Sequence, residues 1–373
     1  MQQVYHEVLN RKDVGIYDNF FEVGGHSLLA TQVVARLRRL MEVEVPLRAL
    51  FESPTVVSLA DRIAQEMRQE RGFTLPPLLP AVRSEKSLLS FAQQRLWFLN
   101  QIDPQGTAYN IADAVRLRGE LKQVALEQAL ARVARRHETL RTTFITQDGQ
   151  PLQCISEEST IQLVTLDLSG LPQPEREAMA RLLAQQEVEQ PFDLAHGPLL
   201  RCWLLPLSQE EQILVLSMHH IVTDGWSMSI LVRELNSLYQ AILRGEETAL
   251  TELPIQYADY ALWQRQWLQG EILQQQMGYW KQQLADLTPL QLPTDYPRPA
   301  IQTYRGARLH LRLPSALTQQ VQALARQEGV TLFMLLLAVF QVLLARYSGQ
   351  EDIVIGTTIA NRNQQEVENL IGF

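Results

Sequence analysis

The sequence is poor in cysteine and carries no excess of positive charge, and both features exclude classes of protein. Its two cysteines, Cys154 and Cys202, have no second cysteine or histidine at ligand spacing. A disulfide framework or zinc site is therefore not expected, and a reducing compartment is the simpler interpretation. Lys and Arg total 33 against 41 Asp and Glu, a net charge of −8. A surface that reads nucleic-acid phosphates needs the opposite balance, so we expect no nucleic-acid partner.

The sequence also lacks a long, uninterrupted apolar stretch. The N-terminal residues MQQVYHEVLNRKDV carry charges where a signal peptide needs an apolar core. The one apolar run, VTLFMLLLAVFQVLLA over residues 330–345, is shorter than a membrane span and contains Thr331 and Gln341. This run predicts a buried helix of a large core. We expect no membrane segment and a cytoplasmic location.

What is present fits a globular protein with more than one core. Hydrophobic residues make up 46% and charged residues 20% of a chain of 373 residues, which is long enough for two or three cores. Residues 1–70 contain several short helical patterns and predict a small bundle. The proline-containing stretch over residues 71–87 predicts an extended, stiff linker.

Helical and strand patterns alternate beyond the linker, which predicts α/β layers. The helical patterns are FAQQRLWFLNQ, VALEQALARVARRH and residues 226–241. The strand patterns are AVRLRG, a hairpin around Asp148-Gly149, EEQILVLSM and, late in the chain, DIVIGTTI.

The first motif that carries chemistry is DNFFEVGGHSLL, residues 18–29. Gly24 and Gly25 allow the backbone to turn freely, and Ser27 stands where a helix begins. A serine in this position is most often a helix N-cap. The same geometry would also suit a phosphodiester on Ser27, because a helix N-terminus stabilises negative charge.

This segment resembles the phosphopantetheine attachment site of peptidyl carrier domains in nonribosomal peptide synthetases. The resemblance extends through LFESPTVVSLADRI and covers nearly all of residues 1–70. It implies a small all-α, four-helix carrier bundle that bears 4′-phosphopantetheine on Ser27. A phosphopantetheinyl transferase would be the partner that attaches the group.

The second motif is MHHIVTDGWSMSIL, in which His219 and His220 leave a buried strand. Adjacent strand residues point to opposite faces, so one histidine can face the scaffold and the other a cleft. Asp224 follows four residues after His220, and Gly225 lies at a tight turn. A histidine pair can instead be structural or weakly metal-binding, and Asp224 can cap the next helix. No third zinc ligand stands nearby, so we expect no metal.

The pattern resembles the HHxxxDG signature of nonribosomal peptide condensation domains and of chloramphenicol acetyltransferase-like acyltransferases. Further condensation-domain motifs follow in the family's order: SFAQQRLWFLNQ, RHETLRTTF and YADYALWQ. The resemblance implies a two-lobed α/β fold, with the N-terminal lobe over residues 88–270. Residues 271–373 would begin the second lobe, which we expect to be incomplete because the sequence stops within the motif NLIGF.

Carried over by resemblance, His220 is the cleft-facing catalytic histidine and His219 the structural one. Asp224 pairs with an arginine, for which Arg141 is the matching residue. The backbone of Gly225 lies against the substrate arm. Such a buried ion pair would organise the loop, because removing either partner leaves an uncompensated charge.

The implied reaction is amide formation between a donor thioester on Ser27 and the amine of a downstream, carrier-bound aminoacyl acceptor. His220 could accept the amine's proton, hold the amine by a hydrogen bond, or stabilise the tetrahedral intermediate. Expected partners are aminoacyl or peptidyl thioesters, an upstream adenylation domain and the downstream acceptor carrier. The sequence GGHS, rather than GGDS, favours direct transfer of an L-residue. Two alternatives stay open: a non-catalytic carrier and docking fragment, and an epimerisation-type domain.

Overall fold

The computed structural model describes residues 1–41, 45–69, 75–82, 86–246, 250–300, 306–307, 309–362 and 364–373. The side chains of Ser27 and of residues 65–69 lie outside the described set.

Four helices form the first unit, which confirms the predicted bundle. They are α1 (Gln2–Leu9), α2 (Ser27–Met41), α3 (Leu47–Glu52) and α4 (Val56–Gln69). Apolar residues at helical spacing on α2, including Val33 and Leu37, are fully buried against the other helices. Tyr5 and Phe20 meet edge to face inside this core, with ring centroids 5.1 Å apart.

Two sheets follow, and both are built mainly from antiparallel strands. β1 (Lys86–Leu88), β4 (Gln150–Ile155) and β3 (Thr142–Gln147) form one sheet in the order β1-β4-β3. The predicted hairpin is present, since Asp148 and Gly149 take positive φ values of 52° and 76° between β3 and β4. The second sheet has the order β2-β7-β6-β5, from β2 (Asn110–Arg118), β5 (Leu163–Thr165), β6 (Leu200–Ser208) and β7 (Glu211–His219).

Helices cover both faces of the second sheet, as the alternating patterns predicted. One face carries α6 (Gln123–Arg136) and α8 (Gly225–Arg244), and the other carries α7 (Gln173–Val188). Two further helices pack elsewhere, α5 (Phe91–Ile102) against the turn after β7 and α9 (Tyr257–Trp267) against β1. Leu214, Leu216 and Met218 of β7 share one core with α6 and α8. Val215, on the opposite face, packs in a separate cluster with α7. The end of β7 is therefore fixed by packing on both sides.

Part of the predicted linker lies along the surface of α9. The Trp263 indole donates to the carbonyl of Pro76 (2.8 Å), and the Asp259 carboxylate accepts from the amide of Ala81 (3.0 Å). Leu78 is buried beside Tyr257. The described part of the linker is thus packed against its neighbour. Our predicted boundaries at residues 70, 87 and 270 stay predictions.

The last hundred residues differ most from what the sequence predicts. They hold α10 (Gly270–Gln283), α11 (Ser315–Gln327) and α12 (Leu332–Ser348). The strand predicted for DIVIGTTI does not form, because the segment pairs with no other strand in the described chain. The helix predicted from the apolar run is present as α12, but its predicted burial is wrong. Phe333 is 55% exposed and only Leu344 is buried, since no described element covers the apolar surface of α12.

No single helix within the described ranges has both the length and the apolar composition of a membrane span. Among the described helices, α11 and α12 taken together reach that length and composition, and the two are bent by 104° relative to each other.

Candidate functional site

The glycines of the first motif are required by the local backbone. Gly24 has a φ of +111°, a conformation that side chains disfavour. A Cβ added to Gly25 would lie 2.4 Å from the ring of Phe20 and from its carbonyl oxygen. The pair therefore lets the chain turn tightly against the bundle core before α2 begins.

Ser27 is the first residue of α2, and the cap precedes it. The carbonyl of His26 accepts from the amide of Ala30 (2.8 Å), which makes His26 the N-cap. The interpretation of Ser27 as an N-cap is therefore wrong. Its backbone lies in the first turn, where unpaired amides and the helix dipole favour a phosphodiester, so the local structure fits the attached group.

His219 ends β7 and is buried in the scaffold. Its side chain is 2% exposed, and its Nδ1 accepts from the amide of Ile221 (3.1 Å). The rings of Tyr109 and Phe192 lie 6.4 Å and 6.1 Å from it, centroid to centroid. Burial, followed by the nearby charge of His220, lowers the pKa of His219 to about 4. His219 is therefore neutral and held in place at neutral pH.

His220 opens a short 3-10 turn after the strand and is only partly buried. Its Nδ1 lies 2.7 Å from the carbonyl oxygen of Thr223. A carbonyl can only accept, so Nδ1 carries the proton, and a neutral ring then has a free lone pair on Nε2. Nε2 makes no hydrogen bond within the described residues. Phe373 packs edge to face against the ring, with centroids 4.4 Å apart.

Asp224 has two partners, and the arginine among them is not the predicted one. One carboxylate oxygen accepts from the amide of Ser227 (2.7 Å) and so caps α8. The same oxygen lies 3.2 Å from Nη2 of Arg362. Arg141 instead donates to the carbonyl of Ser156 and lies 3.9 Å from Glu138. The predicted Arg141–Asp224 pair is therefore wrong, because Arg141 is held on the turn that leads into β3.

Arg362 joins this turn to the last described segment of the chain. It is 6% exposed, and its Nη1 donates to the carbonyls of Val367 and Leu370. Its Nη2 also donates to Oγ of Ser227 (2.9 Å) and to the carbonyl of Gly372 (3.3 Å). Charge-assisted bonds of this kind are the strong ones in a buried site.

Sequence reasoning missed Arg362, although one signal pointed towards it. A buried aspartate needs a cation, and the stretch ANRNQQ supplies one after the last apolar segment. Several other arginines met the same requirement, so the pattern alone did not choose among them.

Gly225 begins α8, directly after Asp224. A Cβ added there would meet no described atom within 4 Å, so packing within the chain does not require glycine. The role expected for its backbone, contact with a substrate arm, stays a prediction.

Both units of the chain match the models of known families. Residues 83–373 match the model of the condensation domain. The chain belongs to the condensation-domain family. Residues 2–63 match the phosphopantetheine attachment site, so a carrier domain precedes the condensation domain in this chain.

The similar curated proteins are much longer than this chain. A linear gramicidin synthase from Brevibacillus parabrevis is 51% identical over 371 residues, which is 99% of this chain and 5% of that protein. Malpinin synthetase of Mortierella alpina is 41% identical over 374 residues, which is 100% of this chain and again 5% of that protein. The chain therefore spans about a twentieth of the length of these relatives.

Solved structures share the fold. The X-domain from teicoplanin biosynthesis is 32% identical with a TM-score of 0.69, over 80% of this chain and 65% of that one. A holo four-domain nonribosomal peptide synthetase bound to AMP and glycine is 26% identical with a TM-score of 0.68, over 80% of this chain and 22% of that one. The relatives and neighbours together do not favour the non-catalytic or epimerisation alternatives.

Proposed function

We propose that the condensation domain catalyses amide formation between a donor acyl group held on Ser27 and a carrier-bound aminoacyl acceptor. The observation that carries the proposal is the geometry of His220. Its Nδ1 is occupied by the carbonyl of Thr223, and its Nε2 is left as a hydrogen-bond acceptor. An acceptor is what an attacking amine requires.

The tautomer favours one of the three roles considered for His220. Stabilising a developing oxyanion needs a donor on Nε2, which the neutral ring lacks. Accepting a hydrogen bond from the amine, and then its proton, needs the lone pair that Nε2 has. An α-amine titrates near pH 8, so part of the substrate is already neutral, and His220 serves mainly to orient it and receive the proton as the bond forms.

Other residues of the site act through His220 or on the substrate. When phosphopantetheine is attached to Ser27, it would present the donor as a thioester, which is already activated towards an amine. His219 and Asp224 are positioning residues, and Gly225 leaves room beside the turn for a substrate arm. Further partners of the parent protein are a phosphopantetheinyl transferase, an upstream adenylation domain and a downstream acceptor carrier, all in the cytoplasm.

The test is an amide-forming assay with the loaded carrier of this chain and a loaded acceptor carrier. We expect His220→Ala to lower the single-turnover rate by roughly 10²- to 10⁴-fold, the usual contribution of a positioned base. His196→Ala is the matched control, because His196 is exposed and its partner among the described residues is Asp193. Equal rates for the two variants would refute the role of His220.

The attachment site is tested separately by intact mass. Incubation with coenzyme A and a phosphopantetheinyl transferase should add one phosphopantetheine to the wild-type chain and none to Ser27→Ala. Ser58→Ala, on α4 of the same domain, should be modified like the wild type. Modification of Ser27→Ala would place the group on another residue.

A further inference from the structure

The two domains touch through the end of α2 that lies farthest from Ser27. Nη1 of Arg39 donates to Oε1 of Gln365 (3.0 Å). Nη2 of Arg36 lies 3.7 Å from Oε2 of Glu368. Both acceptors belong to residues 365–369 of the condensation domain, which begin with a 3-10 turn.

One partner in this contact is a buried carboxylate. Glu368 is 6% exposed, whereas the side chain of Arg36 is 23% exposed. Nη1 of Arg36 also lies 3.4 Å from Oε2 of Glu7. An exposed ion pair contributes little, but a buried carboxylate that loses its cation is left uncompensated. Residues 365–369 therefore gain more from the contact than two surface charges would.

The same segment is fastened to the turn that holds His220. The backbone carbonyl of Glu368 accepts from the indole of Trp226 (2.8 Å), which lies two residues after Asp224. Its neighbours Val367 and Leu370 supply the carbonyls that hold Arg362. A contact that holds residues 365–369 in place therefore also holds Arg362, the arginine that pairs with Asp224.

The contact lies away from the attachment end of α2. Arg36 follows Ser27 by nine residues, a distance of roughly 14 Å along a helix axis, and Arg39 lies one turn further. The carrier is held by the distal end of the helix while the end that bears Ser27 points away from this contact.

The contact is polar and incompletely hydrogen-bonded, which suits a reversible one. Nε of Arg36 and Oε1 of Glu368 are buried without a hydrogen-bond partner among the described residues. A cavity of about 410 Å³ lies beside them, lined from both domains. Permanent interfaces are more apolar and better packed than this.

We infer that residues 365–369 are a docking surface for the basic distal end of the carrier's α2, with Arg36 on Glu368 and Arg39 on Gln365. Docking there orders the segment that holds Arg362 on Asp224. The carrier's position is thereby coupled to the order of the turn that bears His220. The link to transfer rests on the proposed function, whereas the docking itself does not.

The test measures ¹⁵N relaxation of carrier amides in the full chain at about pH 8, where Glu368 is ionised although burial raises its pKa to about 7. In the wild type the carrier should tumble with the whole chain. Arg36→Glu and, more weakly, Arg39→Glu should release it, so that its correlation time falls towards that of a domain of its own size. Arg36→Glu combined with Glu368→Arg should restore the slow tumbling. Arg48→Glu is the control, since it makes the same charge change on α3, where the exposed side chain of Arg48 pairs with Glu52 of the carrier itself.

Equal tumbling in Arg36→Glu, Arg39→Glu and Arg48→Glu would overturn the docking surface, whether or not the charge-swapped double variant folds. The same samples are assayed for single-turnover amide formation, where we expect Arg36→Glu to lose about tenfold, within the usual coupling energy of two interacting side chains. A released carrier that transfers as fast as in Arg48→Glu would overturn the coupling to the site. No amide from any variant, with tumbling altered as described, would refute the proposed function and leave the docking surface standing.

Discussion

Replacement of Arg362 by methionine tests how the HHxxxDG turn is held. The change keeps an unbranched side chain of similar reach and removes the guanidinium. It deletes the bonds to the carbonyls of Val367 and Leu370, and it leaves the carboxylate of Asp224 without its cation. Methionine can still pack against the apolar neighbours, so the effect isolates the polar contacts.

The expected loss of stability follows from burial. The Arg362 side chain is 7% exposed and that of Asp224 is 16% exposed. Removing one partner of a buried ion pair typically destabilises a protein by about 3–5 kcal/mol, much of it from the charge left behind. Asp224→Asn removes that charge and keeps the oxygen that caps α8. The double variant should therefore be destabilised by less than the sum of the two single variants, with a coupling energy of about 1–3 kcal/mol.

Urea unfolding followed by tryptophan fluorescence reports on the condensation domain alone. All six tryptophans lie after the carrier domain, the first of them at Trp97. The carrier's own unfolding is therefore silent in this assay, and one transition can be assigned to one domain. Arg233→Met is the control, because Arg233 is exposed and its hydrogen-bond partner among the described residues is Asn369. Its effect should stay within about 0.5 kcal/mol.

If the effects of the two substitutions on stability are additive, Arg362 and Asp224 do not stabilise the turn as a pair. If Arg362→Met and Asp224→Asn summed to the double variant within about 0.5 kcal/mol, the two side chains would not be coupled. The contribution of Arg362 would then lie in its hydrogen bonds to carbonyls and to Ser227 Oγ, and the ion pair would not organise the turn.

Three further outcomes follow from burial and sterics. Burial raises the pKa of Glu368 to about 7, against the charge of Arg36. The free energy of unfolding should therefore fall by about 3 kcal/mol as pH rises from about 4.5 through 7, because the unfolded chain loses this proton first. Urea titrations of Glu368→Gln should lack this fall. The pKa of His219 is lowered to about 4, so stability is lost as pH falls from 6.5 to 4, and His219→Gln should lack that fall. Gly25→Ala should destabilise the carrier by about 2 kcal/mol or more in thermal unfolding followed by circular dichroism, and an unchanged midpoint would contradict the contact with Phe20.

The sequence predicted the elements that are set by local pattern. The helical carrier bundle, the hairpin at Asp148-Gly149 and the buried strand that ends at His219 all follow from periodicity and turn residues. That the bundle has four helices was implied by the family resemblance. Motif order predicted the two families, and both matches confirm them. The bundle, the hairpin and the strand depend on residues close in sequence, and motif order is read along the chain, so a single sequence displays both directly.

The sequence did not predict the features that depend on distant partners. The strand at DIVIGTTI needs a second strand beside it, and in the described chain none pairs with it. The apolar face of α12 needs a covering layer, and without one Phe333 stays exposed. Asp224 pairs with Arg362 rather than with Arg141 because the backbone after α12 brings Arg362 to the turn, and no local sequence pattern encodes that path.

The tautomer of His220 also depends on residues that are far away in the sequence. In the proposed function the nitrogen available to substrate is Nε2, because Nδ1 donates its proton to the carbonyl of Thr223. The position of that carbonyl depends on the next residue, Asp224, whose side chain is shared between the first turn of α8 and Arg362. A histidine on a looser turn could present either nitrogen, and only one of the two tautomers accepts a proton from an amine at Nε2. In the proposed function the HHxxxDG motif therefore supplies the histidine ring, while Arg362 and residues 367–372, far along the chain, hold the turn that leaves its Nε2 free.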